Sequence, residues 1–211
     1  MNAITANQIP SLADCRADRP HRRHRVGQYA LPSRGVAEFN RLLERLQFAP
    51  VDDDQIATFG RSLSPDPAQA TVPQWITSRM RSGAAVRLML GDPGWETLDA
   101  ATGAARLVSG YLRDHRDLIP DALPVLGRLD DAIVVEAAWP QVGAEVTDYL
   151  DYRRLRRIEA ELCGCAEAGF RFGRNDWELA RHAEAALARH MPEVGTRSYL
   201  PSGGSSRFRI N

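Results

Sequence analysis

The chain has 211 residues, of which 44% are hydrophobic and 26% charged, a composition typical of a globular protein with a sizeable core. Its 27 basic and 27 acidic residues cancel, so no net charge draws the whole protein to nucleic acid or to a membrane. Every basic residue other than histidine is an arginine, which excludes a P-loop lysine, a Schiff-base lysine and a Ser-Lys dyad.

Signals for export and for disulfide formation are weak. Three cysteines, Cys15, Cys163 and Cys165, are too few and too badly spaced for a disulfide framework. The first residues lack the charged and apolar regions of a signal peptide, and no apolar run is long enough for a transmembrane helix. We therefore expect a protein of the reducing cytoplasm.

Residues 1–34 contain several prolines and the cationic run His21–Arg25, and they predict a flexible basic arm. Arg22, Arg23 and Arg25 can contact the phosphates of nucleic acid or of an anionic membrane surface. A solvated tail is the more common role of such a run, and both interpretations stay open.

Apolar residues recur at helical spacing over residues 35–194, and this predicts a single all-α domain of about seven helices. Asp52, Asp53 and Asp54 are expected to cap one of these helices and not to bind an ion. No stretch alternates long enough to predict a strand, and residues 195–211 predict a disordered tail. The other helices are expected at about 36–48, 74–90, 95–113, 142–162 and 176–190.

One stretch, residues 117–135, does not follow the pattern of an amphipathic helix. Asp117 is expected to cap a short helical turn by accepting the N–H of Ile119, and two prolines bound that turn. Gly127 is expected to take the positive φ with which the chain enters the next helix. The stretch therefore predicts two helices joined by a tight corner at the centre of the domain.

The run DLIPDALPVLGRLDDAIVV in this stretch resembles the hallmark of the YkvA-like family, a bacterial domain of unknown function. The usual form of the hallmark is Ser-Pro-x-Asp-Leu-Ile-Pro-Asp followed by Ile-Pro-x-x-Gly-x-Leu-Asp-Asp. This chain has Asp114-His115-Arg116 where the family has Ser-Pro, and the resemblance covers about residues 100–150. The matching positions are Asp117, Leu118, Ile119, Pro120, Asp121, Pro124, Gly127, Leu129, Asp130 and Asp131.

The four aspartates Asp117, Asp121, Asp130 and Asp131 allow three interpretations. The one we favour is structural: the carboxylates cap helices and hold the corner with nearby arginines, each cap contributing about 1 kcal/mol. They can instead hold a divalent cation such as Mg²⁺ or Mn²⁺, which would permit metal-assisted phosphodiester hydrolysis. The third interpretation is a polar surface for a protein partner.

A second basic cluster lies in the predicted helix 142–162, where Arg153, Arg156 and Arg157 share one face. Such a ridge can bind phosphates, although a solvated charged face is the more common case. Cys163 and Cys165, together with the histidines after them, lack the ligand spacing of a zinc site.

These patterns predict a non-enzymatic helical module for interaction or regulation, with a protein partner that the sequence does not identify. Two alternatives stay open. One is a metal-dependent hydrolase that uses the four aspartates, and the other is a module that binds nucleic acid or an anionic membrane surface through the arginine clusters. The sequence assigns no catalytic residue and no cofactor site.

Overall fold

The computed structural model describes Leu12, Cys15 and residues 24–64, 71–114 and 117–197, with side chains described as far as residue 190. Within these ranges the chain forms six α-helices and one two-stranded hairpin, which confirms the predicted all-α class. The strands are β1 (Arg25–Val26) and β2 (Tyr29–Ala30), and the helices are α1 (Ser33–Arg45), α2 (Asp53–Leu63), α3 (Gln74–Gly91), α4 (Asp99–Tyr111), α5 (Leu129–Leu162) and α6 (Arg174–Arg197).

The chain divides into two units, Met1–Asp151 and Tyr152–Asn211. The boundary falls inside α5, which is one continuous helix. Because a single helix belongs to both units, the prediction of one helical domain over residues 35–194 stays a prediction. The two units are described separately below.

The central element of the first unit is α5. Its buried residues between Leu129 and Tyr149 lie on nearly all sides of the helix, which is the pattern of a helix surrounded by others. Glycines allow two neighbours to approach it closely: a Cβ on Gly60 of α2 would lie 3.0 Å from the side chain of Leu129, and one on Gly83 of α3 would lie 3.1 Å from that of Val135. The core therefore forms where α2 and α3 meet α5.

The continuity of α5 corrects the predicted number of helices. We expected one helix to open at Arg128 and a separate helix to span 142–162, but Leu129–Leu162 is a single helix with Pro140 inside it. Pro140 is exposed, so the carbonyl that loses its hydrogen-bond donor lies on the side where water can solvate it. The described residues consequently contain six helices where about seven were predicted.

A capping box begins α2. The Oδ1 atom of Asp52 accepts the N–H of Gln55 at 2.7 Å, and the Oε1 atom of Gln55 accepts the N–H of Asp52 at 2.9 Å. Asp53 and Asp54 follow in the first turn, where negative charge complements the exposed N–H groups. The prediction that this acidic triplet caps a helix is confirmed.

The hairpin of β1 and β2 packs on α2. Val26 is buried, and the Nδ1 atom of His24 contacts a carboxylate oxygen of Asp53 at the start of α2. Gly27 has a φ of 57°, which the tight connection between the two strands requires. Strands of two residues show no alternation of apolar and polar residues, which is why the sequence did not reveal them.

The hairpin and the start of α1 lie in the segment for which a flexible arm was predicted, and residues 24–34 are folded. In the remainder of that arm only Leu12 and Cys15 are described, and both are buried. At the other end of the chain α6 extends to Arg197. The disordered tail was predicted to begin at residue 195, but residues 195–197 are helical because α6 continues through them. The remainder of that tail, residues 198–211, lies outside the described residues.

The second unit contains the end of α5 from Tyr152, a 3-10 turn at Glu167–Gly169, and α6. The ring of Tyr152 stacks on that of Phe172 with the centroids 5.9 Å apart, and its hydroxyl donates to the carbonyl oxygen of Phe172 at 3.0 Å. The ring of Phe170 stacks on that of Phe172, with the centroids 6.1 Å apart. The aromatic residues of this loop therefore form the packing of the second unit next to Tyr152.

Candidate functional site

The corner, residues 117–128, joins α4 to α5 within the first unit. It consists of successive turns: the N–H of Leu123 donates to the carbonyl oxygen of Pro120 at 2.8 Å, and that of Gly127 donates to the carbonyl oxygen of Leu123 at 3.0 Å. The prolines interrupt helical hydrogen bonding, as predicted. The short helical turn that we expected after Asp117 does not form.

Asp130, in the first turn of α5, closes the corner. Its side chain is 0% exposed, and its Oδ2 atom accepts the hydroxyl of Tyr111 at 2.7 Å and the N–H of Ile119 at 3.0 Å. The Tyr111 hydroxyl oxygen in turn accepts the N–H of Leu118 at 3.2 Å. Burial, followed by the charge of Asp130, raises the pKa of Tyr111, so its hydroxyl stays protonated and donates. One carboxylate on α5 thus joins the end of α4 to the loop.

The predicted cap by Asp117 is wrong. The N–H of Ile119 donates to Asp130, which lies eleven positions further along the chain, and not to Asp117. A cap is predicted from neighbouring residues, whereas this acceptor arrives through the packing of α5. Tyr111 was missed for the same reason, since nothing in the local sequence relates a tyrosine at the end of α4 to an aspartate on α5.

The role of Gly127 also differs from the prediction. The positive φ in the corner belongs to Val125, at 69°, and not to Gly127. A Cβ on Gly127 would lie 2.5 Å from the carbonyl oxygen of Asp121 and 2.6 Å from that of Leu123, distances that real Cβ atoms do not adopt. Glycine is required here because the chain passes directly over its own backbone.

The two buried carboxyls have raised pKa values. Burial raises the pKa of Asp130 to about 6, although the hydrogen bond from Tyr111 opposes the shift. Burial also raises the pKa of Asp131 to about 7, the charge of Asp130 adds to the shift, and Arg128 opposes it. The Oδ1 atom of each is buried and has no hydrogen-bond partner among the described residues. A buried oxygen without donors favours the neutral acid, so both carboxyls keep their protons to a higher pH than an exposed aspartic acid does.

The other two aspartates lie nearer the surface. Asp121 is exposed, and its Oδ2 atom accepts the Nη2 group of Arg128 at 3.1 Å, a solvent-exposed ion pair that contributes little to stability. Asp117 is half-buried, and its charge raises the pKa of both Asp130 and Asp131. Asp131 therefore lies within electrostatic range of the other three acids, since the charge of Asp121 also raises its pKa.

The geometry gives no support to the predicted cation site at Asp117, Asp121, Asp130 and Asp131. Hard cations favour carboxylate oxygens that are directed at one point. In the ranges 24–64, 71–114 and 117–190, where side chains are described, no three or more His, Cys, Asp or Glu side chains have an arrangement that could hold a metal ion. The Oδ2 atom of Asp130 is already an acceptor for two donors of the protein.

The three arginines of the predicted ridge on α5 differ in exposure. Arg153 and Arg157 are exposed, but Arg156 is half-buried. Its guanidinium donates to the carbonyl oxygen of Glu167 at 3.2 Å and to that of Phe170 at 3.4 Å. Arg156 therefore holds the loop of the second unit, and phosphate binding by the three arginines stays a prediction.

Of the basic arm, Arg25 is exposed on β1, whereas Arg22 and Arg23 lie outside the described residues. No helix in the described part of the chain combines the length and the apolar character that a membrane span needs.

Comparison with known proteins identifies one short region of similarity. A family model described as "Protein of unknown function (DUF1232)" matches residues 110–137, which comprise the end of α4, the corner and the first turns of α5. No curated protein and no solved structure matches the chain. A domain of unknown function is thus supported over this segment alone, and the YkvA-like label stays a prediction.

Proposed function

We propose that this chain is a non-enzymatic helical interaction module of the YkvA-like type, in which the corner maintains the fold and the ligand binds elsewhere on the surface. The observation that carries this proposal is the state of Asp130, which is 0% exposed and accepts two hydrogen bonds from the protein itself. A carboxylate that no substrate reaches cannot act on one as an acid or a base. The exposed thiols of Cys163 and Cys165 support a reducing compartment, the cytoplasm.

The competing function is a metal-dependent hydrolase, and it makes a different prediction for the exposed acid Asp121. We expect neither Mg²⁺ nor Mn²⁺ nor EDTA to shift the melting temperature of the full chain. We also expect no metal-dependent hydrolysis of bis(p-nitrophenyl) phosphate. Asp121→Asn should behave like the wild type in both assays, because the ion pair of this carboxylate with Arg128 is exposed to solvent and contributes little to stability.

Glu38→Gln is the matched control, since Glu38 is also an exposed acid in an arginine pair and lies on α1. Hydrolysis that requires Mn²⁺, that Asp121→Asn abolishes and that Glu38→Gln retains would replace the proposed function with the hydrolase.

A second experiment addresses the location of the binding surface. Photo-crosslinking in the cells that make this protein should capture the same partner with the wild type and with Asp121→Asn, because the corner is not the binding surface. If Asp121→Asn lost the partner while its melting temperature was unchanged, the partner would bind at the corner and this part of the proposal would be wrong.

A further inference from the structure

A cleft of about 340 Å³ lies between α3 and α4 in the first unit. The two helices run in opposite directions, because Gly83 faces Leu112 just after α4, whereas Leu90 and Gly91 at the end of α3 line the cleft together with Arg106. None of the four aspartates of the corner lines this cleft. It is therefore a site separate from the acidic cluster.

Among the described residues, the side chains that line the cleft carry positive charge and no negative charge. Three arginines line it, Arg87, Arg106 and Arg113, together with Ser109, Leu90 and Gly91. The Nε group of Arg113 donates to the carbonyl oxygen of Ser109 at 3.0 Å, which orients this side chain and leaves its two Nη groups as donors. The cleft thus presents several N–H donors and a hydroxyl to any ligand that enters it.

No carboxylate in the described ranges forms an ion pair with the cations of the cleft. Other arginines of the same unit pair with carboxylates, as Arg34 does with Glu38 and Arg79 with Glu136. Arg87 and Arg106 form no ion pair with any residue in the described part of the chain. The positive charges around the cleft repel each other, and the attraction of a bound anion to all of them offsets this repulsion.

A simpler explanation would be that these arginines complement helix dipoles. Basic side chains do so within the last turn of a helix. Neither α3 nor α4 has a basic residue in its last turn. The helix dipole therefore does not account for Arg87 or Arg106.

We infer that this cleft binds the phosphate group of a phosphorylated ligand, with Arg87, Arg106 and Arg113 as its anchors. The planar pair of N–H donors of a guanidinium can bind two oxygens of a phosphate. A multiply charged anion such as phosphate also balances more of the charge of the three arginines than a singly charged anion does. The volume is at the small end of the range for small-molecule sites. The inference rests on the proposed function, because it names the ligand class of that module. A free organophosphate and a lipid headgroup supply the same chemistry.

A second cleft provides room for the remainder of the ligand. It measures about 660 Å³, and Arg106 lines it together with Arg45, Asp99 and Gln141. Gln141 is held in place because its Nε2 group donates to the carbonyl oxygen of Leu46 at 2.7 Å. A carboxylate, an amide and a guanidinium bind hydroxyl groups well. The shared residue Arg106 places a polar, hydroxyl-bearing body next to the phosphate.

Isothermal titration calorimetry of the full chain with inorganic pyrophosphate tests the anchoring residues. We expect Arg87→Gln and Arg106→Gln each to weaken binding about tenfold or more, because each removes a charge-assisted pair of hydrogen bonds. Arg106→Lys should restore the charge but only part of the affinity, since an ammonium group lacks the planar pair of donors. Arg81→Gln is the matched control: Arg81 is an exposed arginine of α3 that does not line the cleft.

Two further probes distinguish the sources of the phosphate. Binding of glucose 6-phosphate that depends on Arg87 and Arg106 would assign a free organophosphate. Co-sedimentation with phosphatidylcholine vesicles that contain phosphatidic acid, but not with phosphatidylcholine alone, would assign a lipid headgroup if Arg87→Gln abolishes it. Either result supports the cleft as a phosphate site.

Three results would overturn the inference. The first is no binding of pyrophosphate at 50 mM salt, and the second is an affinity for pyrophosphate that Arg81→Gln lowers as much as Arg87→Gln does. The third is an oligonucleotide that binds more tightly than any small phosphate and keeps its affinity in both cleft variants. The proposed function fails by a different observation, the Mn²⁺-dependent hydrolysis that Asp121→Asn abolishes. The cleft variants do not affect that assay, so the two failures are distinguishable.

Discussion

The Tyr111 hydroxyl lies between a carboxylate and a backbone amide. It donates to Asp130 and accepts from the N–H of Leu118, and its replacement by hydrogen leaves that N–H without its acceptor. We expect Tyr111→Phe to lower the free energy of unfolding by about 1–3 kcal/mol, which is the cost of leaving a buried polar group unsatisfied. Urea denaturation measures this difference.

Tyr29→Phe is the control for this experiment. Tyr29 is a half-buried tyrosine of β2 whose hydroxyl is bound by no residue in the described part of the chain, so its loss should cost less than about 0.5 kcal/mol. Equal effects of the two substitutions would show that the hydrogen bonds of Tyr111 do not hold the corner.

Asp130 and Asp131 make stability depend on pH. Their pKa values in the folded chain, about 6 and about 7, lie above the value of about 3.9 in an unfolded chain. The folded chain therefore binds more protons than the unfolded chain between about pH 4 and pH 7, and the free energy of unfolding falls as the pH rises through this window. The fall is on the order of 3 kcal/mol per group.

Asp131→Asn isolates this dependence, because it removes the carboxyl with the higher pKa and keeps the shape of the side chain. We expect the variant to have a flatter dependence of the free energy of unfolding on pH between 5 and 8 than the wild type, measured by urea denaturation at each pH. Glu38→Gln, an exposed control, should keep the slope of the wild type. A slope that Asp131→Asn leaves unchanged would mean that the carboxyl titrates normally.

At the scale of elements, the corner depends on one close approach of the backbone to itself. Gly127→Ala would place a methyl group against the carbonyl oxygens of Asp121 and Leu123, which are backbone atoms that cannot move aside without breaking the turns. We expect the free energy of unfolding to fall by about 2 kcal/mol or more. The near-ultraviolet circular dichroism signal of the folded variant should also be weaker than that of the wild type.

Gly103→Ala is the matched control for Gly127→Ala. Gly103 lies within α4, and a Cβ there would meet no atom within 4 Å. Alanine in a helix is favoured over glycine by up to about 1 kcal/mol, so this variant should be as stable as the wild type or more so. If both variants lost the same stability, the close approach at Gly127 would not explain the requirement for glycine.

At the scale of the whole molecule, one arginine near the start of the second unit holds the loop that follows α5. Arg156 donates to the carbonyl oxygens of Glu167 and Phe170 and to the hydroxyl of Tyr152. In Arg156→Gln these contacts are lost, and we expect the amide protons of residues 165–175 to exchange about tenfold faster or more. Hydrogen exchange followed by mass spectrometry measures this locally.

Arg157→Gln removes the same charge at the next position, which is exposed, and should leave exchange in this loop unchanged. The amides of α2 and α3 in the first unit should exchange at the wild-type rate in both variants. Faster exchange throughout the chain in Arg156→Gln would show that the contacts of Arg156 stabilise more than the second unit.

Most helices could be predicted from the sequence because their signals are local. The apolar period that predicts 74–90 corresponds to α3 at Gln74–Gly91, and the acids at 52–54 cap α2 as expected. Prediction was less accurate where tertiary packing outweighed a local signal. We expected a separate helix at 142–162, but α5 continues through Pro140, because packing around the buried positions of this helix outweighs the loss of one hydrogen bond.

Local signals in the sequence predict an all-α chain with a proline-bounded corner rich in aspartates, because helical period, prolines and capping residues act over a few positions. The roles of those aspartates and the grouping of the arginines depend instead on the tertiary fold. Asp130 binds the N–H of Ile119 and the hydroxyl of Tyr111, and Arg87 and Arg106 line one cleft, since α5 and the opposed helices α3 and α4 bring them together. Contacts between residues far apart in the chain depend on packing, and the spacing of residues does not encode them.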